Sequence, residues 1–409
     1  MDLVMTHCAG LDVHKATVVA TVRVPGRNGG RQIVTETFGT MTPDLIALRE
    51  WLQAFGVTHV ALESTGIYWR PVYYMLEDAF QLLLINMQEL KHVPGRKTDV
   101  KDSEWLAQLL ECGLLRSSFV PPPPIRELRD LTRYRVQQTR DRTQEVNRLH
   151  KVLEDAGVKV ASVLTNVMGV SGRAMVEALV AGTTDPQVLA DLARGQLRKK
   201  LPALQRALVG RFRPIHAFLL EQILAKIDYL DEALERLTAE IDRRVAPFEP
   251  TLTALDTIPG IDRIGAISLV VETGADMDRF PSAAHLCSWA GMCPGLDESA
   301  GKRRSGKTRK ANRYLRATLI QAGTAASHKK NSALQALYVR VKGRRGHKKA
   351  VVATGHQILE IAYYVMRDGI SYHELGADYF QRRDRDRTVR RHIKQLEALG
   401  YVVTVQEAA

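Results

Sequence analysis

Two aspartates three positions apart, Asp99 and Asp102, stand at the start of a helical pattern in KTDVKDSEWLAQLL, residues 97–110. Carboxylates at this spacing face the same way on a helix, so both could reach one hard divalent cation. The alternative is local, because an aspartate at a helix N-terminus caps orphan N–H groups and interacts favourably with the helix dipole. More acids must converge on the same place for the metal interpretation to hold.

Two further acids end predicted strands. Asp12 closes the first alternating segment before a tight turn, and Glu63 closes VTHVALE before the turn at Gly66. Each acid by itself is typical of a turn or cap. If the strands end on the same side of one sheet, however, these acids would meet the two helix acids, and four carboxylates would repel unless a divalent metal lay between them. Such a site suits Mg²⁺ and phosphodiester chemistry.

The N-terminal hydropathy pattern predicts the sheet that would position these acids. Residues 3–24 and 31–38 alternate like strands, and helical and strand patterns then take turns. The later elements are a helix at 43–55, a strand at 57–64, a helix at 68–78, a strand at 81–86 and the helix containing Asp102. This order predicts a mixed α/β sheet covered by helices.

The periodicity changes after the prolines at 121–124. Residues 126–155 are charged and helical, and apolar residues later recur at alternating intervals of 3 and 4. The members of this repeat are Leu220, Ile223, Ile227, Leu230, Leu234, Leu237 and Ile241. The repeat predicts a coiled-coil seam that also joins two chains, and the alternative is an ordinary long helix in a bundle.

Length and composition indicate a globular protein of several domains. The chain has 409 residues, of which 45% are hydrophobic and 25% charged. No apolar run approaches the roughly 20 residues of a membrane helix, and the N-terminus lacks the layout of a secretory signal, so we expect a cytoplasmic protein without a membrane partner. The predicted domains are a catalytic domain at 1–124, a helical spacer at 125–250 and a C-terminal domain at 251–409.

The four cysteines form no CxxC pair, and the twelve histidines are scattered. Zinc motifs usually space their ligands closely in sequence, so we expect reduced and mostly buried thiols rather than a zinc site. The cysteines are Cys8, Cys112, Cys287 and Cys293.

Positive charge is concentrated in one segment. The net charge is +13, and residues 299–359 contain sixteen Lys and Arg but no Asp or Glu, so the rest of the chain sums to −3. A basic run is often only a solvated face, but the length of this one favours a surface that binds the phosphates of nucleic acid.

The segments AGLDVHKATVVATV, ALESTGIYW and KTDVKDSEWLAQLL, in this order, resemble the N-terminal domain of the DEDD transposases of insertion-sequence family 110. The resemblance continues in IRELRDLTRYR, DTIPGIDRIGAISLV, FPSAAHLCSWAGMCPG and ESAGKRRSGKTRKANRYLRATLIQAG, and covers nearly the whole chain. It implies a RuvC-like, RNase H type fold and a mainly helical C-terminal transposase domain. It also implies that the catalytic acids and Mg²⁺ ligands are Asp12, Glu63, Asp99 and Asp102.

The resemblance implies a second catalytic group, a serine that attacks DNA to form a phosphoserine link and completes a composite site between subunits. The matching position is Ser299 in CPGLDESAGKRR, and Ser305 is the competing candidate. A serine hydroxyl is a weak nucleophile that needs a base, a metal or positive surroundings, and its alternative role is a turn cap. The basic residues that would hold the phosphate and bind nucleic acid are Lys302, Arg303, Arg304, Lys307, Arg309, Lys310 and Arg313.

Two further segments are open to more than one interpretation. IPGIDRIGA, residues 258–266, is typical of a helix-hairpin-helix whose glycine N–H groups approach phosphate, or of a simple turn between core helices. Near the C-terminus, RRHIKQLEALGYVVTV predicts a helix followed by a short strand, either a capping element or a winged-helix remnant.

The function implied by the resemblance is a transposase that excises and inserts its own insertion sequence. Its expected partners are donor and target DNA, a structured bridge RNA and further copies of the chain in a dimer or tetramer, in the nucleoid of a bacterium. Two alternatives stay open: a metal-dependent Holliday-junction resolvase, which would use water, and a non-enzymatic nucleic-acid scaffold whose acids are structural. A covalent protein–DNA product would distinguish the transposase from the resolvase. Binding of nucleic acid without any strand cleavage would identify the scaffold.

Overall fold

The structure, a computed structural model, describes residues 4–26, 30–64, 66–86, 102–295, 297–299, 302–383 and 385–404. The chain divides into two compact units, Met1–Pro121 and Pro122–Ala409. None of the described helices has both the length and the apolar composition needed to cross a membrane.

The first unit is built on a five-stranded sheet with the strand order β3-β2-β1-β4-β5. The strands are β1 (Cys8–Val13), β2 (Thr17–Pro25), β3 (Arg31–Gly39), β4 (His59–Glu63) and β5 (Gln81–Ile85). The first three strands pair antiparallel, whereas β4 lies parallel to both β1 and β5. The prediction of a mixed α/β sheet is confirmed.

Helices cover the two faces of this sheet because side chains alternate along each strand. The helices are α1 (Thr42–Ala54), α2 (Trp69–Leu76) and α3 (Asp102–Glu111). Leu11 of β1 belongs to the core formed with α1 and α2, whereas Cys8 belongs to a separate core with α3. Residues of β1 that share the face of Cys8 therefore point toward α3.

The described part of the second unit is helical apart from one short strand pair. Its helices before the strand pair are α4 (Pro123–Asp155), α5 (Val170–Val180), α6 (Pro186–Asp191), α7 (Leu201–Leu208), α8 (Pro214–Val245), α9 (Glu249–Asp256), α10 (Arg263–Thr273) and α11 (Ala283–Trp289). The strands are β6 (Asp297–Ser299) and β7 (Lys302–Ser305). After them come α12 (Arg313–Ala326), α13 (Ala333–Arg345), α14 (His347–Asp368), α15 (Tyr379–Arg383) and α16 (Arg385–Ala398).

The two longest helices, α4 and α8, form an antiparallel pair within the chain. Glu127 contacts Arg244 at one end and Arg142 contacts Asp231 further along. Four members of the predicted seam are buried: Leu220, Ile227, Leu230 and Ile241. Leu220 and Ile227 share a core with Leu149 of α4. The structure thus favours the alternative interpretation, a long helix packed in its own chain, and a role for the seam in joining two chains stays a prediction.

The helices from α9 to α14 share one core with the end of the long pair. Ile125 of α4 and Ile241 of α8 pack in this core together with Leu255, Leu269 and Ile358. Residues on both sides of the predicted boundary at 250 therefore bury apolar surface together. The division of residues 125–409 into a spacer and a C-terminal domain stays a prediction.

The turn between α9 and α10 packs against another helix. Gly260 has φ +91°, and a Cβ there would lie 2.3 Å from the carbonyl oxygen of Ala322 in α12. The N–H of Gly265 donates to Asp262 Oδ1 at 2.7 Å, which caps α10. Among the described contacts, these glycines thus serve helix packing and capping, which favours the simple turn over a phosphate-binding hairpin.

The C-terminal segment differs from the sequence prediction in one respect. α16 forms over the predicted helix, but residues 401–404 form no strand. Val402 is 99% exposed, so this segment lacks the packing that would hold a strand against the protein.

Candidate active site

Asp12 and Glu63 lie at the carboxyl ends of two neighbouring parallel strands. β1 and β4 pair in register, with Leu11 opposite Leu62, so the next residue of each strand is one of these acids. Asp12 lies on the same face of β1 as Cys8, which is the face covered by α3. Glu63 lies on the same face of β4 as Ala61, which belongs to the same core as Cys8. The sheet therefore places both carboxylates at one edge and on one face, and both are half-buried.

Asp102 reaches the same edge because α3 runs antiparallel to β1. Near its start, the carbonyl oxygen of Ser103 would lie 2.2 Å from a Cβ on Gly10. Further along α3, the Ala107 carbonyl accepts from the thiol of Cys8 at 3.5 Å. The N-terminus of α3, and with it Asp102, thus lies at the end of β1 that carries Asp12.

The absence of a side chain at Gly10 permits this close approach. A Cβ at Gly10 would also lie 2.5 Å from the backbone nitrogen of Ala107, well inside van der Waals contact. The helix backbone therefore rests directly on β1, and the glycine sets the depth at which α3 sits on the sheet.

Two polar contacts fix the position of α3 along the sheet. At its start, the fully buried hydroxyls of Ser103 and Thr21 lie 2.8 Å apart. At its end, Glu111, with 2% of its side chain exposed, accepts from Arg23 Nε at 2.9 Å and also pairs with Arg31. Because a buried carboxylate without a partner is strongly unfavourable, this ion pair holds the end of α3 against β2 and β3.

The structure adds one residue to this site. His14 Nε2 lies 3.2 Å from Asp12 Oδ2, and the Asp12 side chain keeps 18% of its surface exposed. Sequence reasoning assigned no role to His14, although its position two residues after the acid is a usable signal. Asp99, the fourth predicted acid, lies outside the described residues.

Ser299 is the last residue of β6, in a two-stranded antiparallel ladder. Its backbone partner is Lys302, and Arg303 lies opposite Glu298. Ser305, the competing serine, ends β7 opposite Asp297. The two candidate serines thus lie at opposite ends of the strand pair, and the basic residues share the pair with two acids.

The base of this strand pair is fixed to the helices around it. Pro294 bridges to Thr308, and the N–H of Gly295 donates to the carbonyl of Lys307 at 3.0 Å. Arg316 of α12 donates to Thr308 Oγ1 at 2.6 Å and to the carbonyl of Gly291 at 3.2 Å. Beyond the base, four predicted basic residues are exposed: Lys307, Arg309, Lys310 and Arg313.

A buried carboxylate joins this region to α4. Glu272 of α10, with a side chain 2% exposed, accepts two hydrogen bonds from Arg133 of α4, at 2.8 and 2.7 Å. It also accepts from Asn312 Nδ2 at 2.5 Å, and Asn312 caps the start of α12. Asn312, which leads from the basic segment into α12, is therefore hydrogen-bonded to an ion-paired carboxylate that sequence reasoning did not identify.

Two family models match the chain and describe one class of protein, the transposases. The DEDD transposase model of the IS110 group, described as "Transposase", matches residues 9–157, and a model described as "Transposase IS116/IS110/IS902 family" matches residues 252–339. Together they cover more than half of the sequence. The chain belongs to the IS110 family of transposases.

A relative in Streptomyces coelicolor is similar over part of its length. This protein, described as "Insertion element IS110 uncharacterized 43.6 kDa protein", is 31% identical over 129 residues. The matched part is 31% of this chain and 30% of that protein.

Proposed function

We propose that the protein is a transposase that excises and inserts an insertion sequence by site-specific DNA recombination. The observation that supports this most directly is the convergence of Asp12, Glu63 and Asp102 at one end of the sheet, in a chain of the IS110 family. Fold alone does not define an activity, so the proposal depends on this carboxylate group. We also assign the first unit to the RuvC-like, RNase H type folds, on the basis of its strand order and directions.

The donor set of the acids suits a hard divalent cation. The three described acids are half-buried and provide carboxylate oxygens, which are the ligands that Mg²⁺ prefers. The imidazole of His14 lies beside Asp12. We propose that Asp12, Glu63, Asp99 and Asp102 hold Mg²⁺, which when bound stabilises charge on the attacking and leaving oxygens of a phosphodiester. The backbone contact at Gly10 holds the start of α3, and with it Asp102, against the strand that carries Asp12.

Ser299 is proposed as the nucleophile of the same reaction. Its Oγ forms a bond to phosphorus while the bond from phosphorus to the departing strand breaks, and the hydroxyl proton ends on the departing oxygen. The phosphoserine link conserves the energy of the broken phosphodiester, so a second strand can be joined by the reverse reaction without an external energy source. Hydrolysis by water would lose that energy.

The basic residues around Ser299 support the same proposal. Lys302 pairs with Ser299 in the strand ladder, and positive charge close to the reacting phosphate would stabilise the charge that develops there. Arg303, Arg304 and the exposed basic residues after them would hold the strand by its phosphates. We propose donor DNA, target DNA and a bridge RNA as partners, and a homodimer or homotetramer as the assembly.

The test compares acid variants in a recombination assay with donor and target plasmids and the RNA transcribed from the flank of the element. Asp12→Asn, Glu63→Gln and Asp102→Asn should each reduce strand exchange by at least about 100-fold, because each removes charge that acts on the reacting phosphate. Their melting temperatures should stay at or above that of the wild type, since repulsion among the acids is relieved.

The matched control is Glu104→Gln, a change in the same first turn of α3. It should keep strand exchange near the wild-type rate. Wild-type activity in Asp102→Asn, or full activity after Mg²⁺ is withheld, would contradict the proposed site. Metal-dependent cleavage with no covalent protein–DNA product would instead identify a resolvase.

A further inference from the structure

Four side chains of metal-binding type, none of them assigned a functional role above, meet in the second unit. Cys287 of α11 and the pair His356 and Glu360, one turn apart on α14, place one ligand atom each within 4.8 Å of one another. Cys293 offers a fourth, since its Sγ lies 3.6 Å from His356 Nε2. We propose that these four residues bind a divalent ion of the zinc class.

The donor set distinguishes this site from the carboxylate site of the first unit. Two thiols, one imidazole and one carboxylate provide the four ligands of a tetrahedral ion, and soft thiolate ligands select Zn²⁺ over Mg²⁺. The spacing along the chain conceals the group, because Cys293 and His356 are 63 positions apart. Only the packing of α11 on α14 brings them together.

Burial and access are both suited to a bound ion. Cys287 is fully buried, whereas the side chains of His356 and Glu360 keep 28% and 32% of their surface exposed. An ion can therefore reach the site from solvent on the side of α14. His356 Nδ1 lies 4.0 Å from Glu360 Oε2.

Burial and a neighbouring carboxylate act on both thiols. Burial, and then the negative charge of Glu360, raise the pKa of the Cys287 thiol and of the Cys293 thiol. Binding of Zn²⁺ would displace one proton from each thiol into solvent and leave two thiolates on the ion. The nearby Arg309, which lowers the pKa of Cys293, would offset the remaining negative charge.

The position of Cys293 gives the ion a structural consequence. Cys293 directly precedes Pro294, which bridges to Thr308 at the base of the β6–β7 pair. An ion at this point would fasten that base to α14, next to the hydrogen bond of 3.0 Å from Arg309 to Ser288 of α11. Metal binding stands independently of the proposed function, and only its effect on DNA chemistry depends on the role of Ser299.

The experiment uses the full chain, purified with a reducing agent, stripped with a chelator and titrated with Co²⁺ and then Zn²⁺. We expect one tightly bound equivalent of cobalt with thiolate-to-cobalt charge-transfer absorption, displacement of that absorption by Zn²⁺, and a rise in melting temperature. An excess of Mg²⁺ should not remove the absorption, and Asp12→Asn should keep it.

Ligand variants identify the site. Cys293→Ser and His356→Asn, both at half-buried positions, should weaken binding by at least about 100-fold and abolish the rise in melting temperature. Cys112→Ser, which changes a half-buried thiol of the first unit, is the matched control and should bind as the wild type. Absence of the charge-transfer band in the wild type, or its persistence in both ligand variants, would overturn the proposal.

Discussion

Gly10 sets the distance between α3 and the sheet, and the variant Gly10→Ala tests this role. The added Cβ would lie 2.2 Å from the carbonyl oxygen of Ser103 and 2.9 Å from the Cβ of Leu106. Normal contacts of carbon atoms begin at about 3.5 Å, so α3 must move away from the sheet by roughly 1 Å. Overpacking of this kind costs about 1–3 kcal/mol of folding free energy.

The same movement would carry Asp102 away from Asp12 and Glu63, which stay on their strands. A misplacement of about 1 Å in a positioned catalytic group can cost roughly 100-fold in rate. We therefore expect Gly10→Ala to lower the rate of strand cleavage about 100-fold under conditions in which the variant is fully folded. The assay is Mg²⁺-dependent cleavage of a labelled donor, with urea unfolding measured on the same preparation.

Gly30→Ala is the matched control. Gly30 belongs to the same unit, and a Cβ there meets nothing within 4 Å. This variant should cleave and unfold as the wild type does. Wild-type cleavage per folded molecule in Gly10→Ala would refute the claim that the depth of α3 positions the acids, even if folding were weakened.

Two other predictions concern the second unit. Glu272→Ala should lower the free energy of unfolding in urea by about 3 kcal/mol, because it leaves Arg133 without its buried partner. Glu240→Ala, at a partly exposed ion pair, should change the unfolding curve little, and equal curves for the two variants would contradict the role of Glu272. Lys307→Gln with Lys310→Gln should lower the slope of log affinity against log salt on duplex DNA by about 1.8, the value for two lost phosphate contacts, and an unchanged slope would place the DNA elsewhere.

The sheet could be predicted from sequence because its strands alternate and end in turns. One helix separates β3 from β4 and another separates β4 from β5, and this order leaves few possible topologies. The placement of Asp12 and Glu63 at strand ends followed from the same pattern. The approach of Asp102 did not, since it depends on contacts such as that between Thr21 and Ser103, 82 positions apart.

The seam shows where periodicity stops being informative. Its spacing correctly predicts one long helix with an apolar stripe, but a stripe does not specify which helix will cover it. The covering helix α4 is rich in charged residues and buries few large apolar residues, among them Leu149 and Leu153. Ion pairs such as that between Arg142 and Asp231 also join the two helices, and the sequence alone does not show which charged residues pair.

The cluster of Cys287, Cys293, His356 and Glu360 could not be predicted from the sequence either. Cys287 and Cys293 are six positions apart, and His356 and Glu360 are four apart on a helix, so each pair has a usable local spacing. Nothing in the sequence joins the two pairs. Packing of α11 on α14 makes them one group.

The central claim, that Ser299 becomes covalently linked to DNA, is tested most directly by mapping the trapped adduct. The protein is reacted with donor and target DNA and denatured, and the DNA is digested with nuclease. Trypsin cleavage after Lys302 then separates Ser299 from Ser305 before peptide mass spectrometry. We predict a nucleotide remnant on Ser299, its loss in Ser299→Ala and its retention in Ser305→Ala. A remnant on Ser305 alone, or strand exchange by Ser299→Ala at the wild-type rate, would contradict the account.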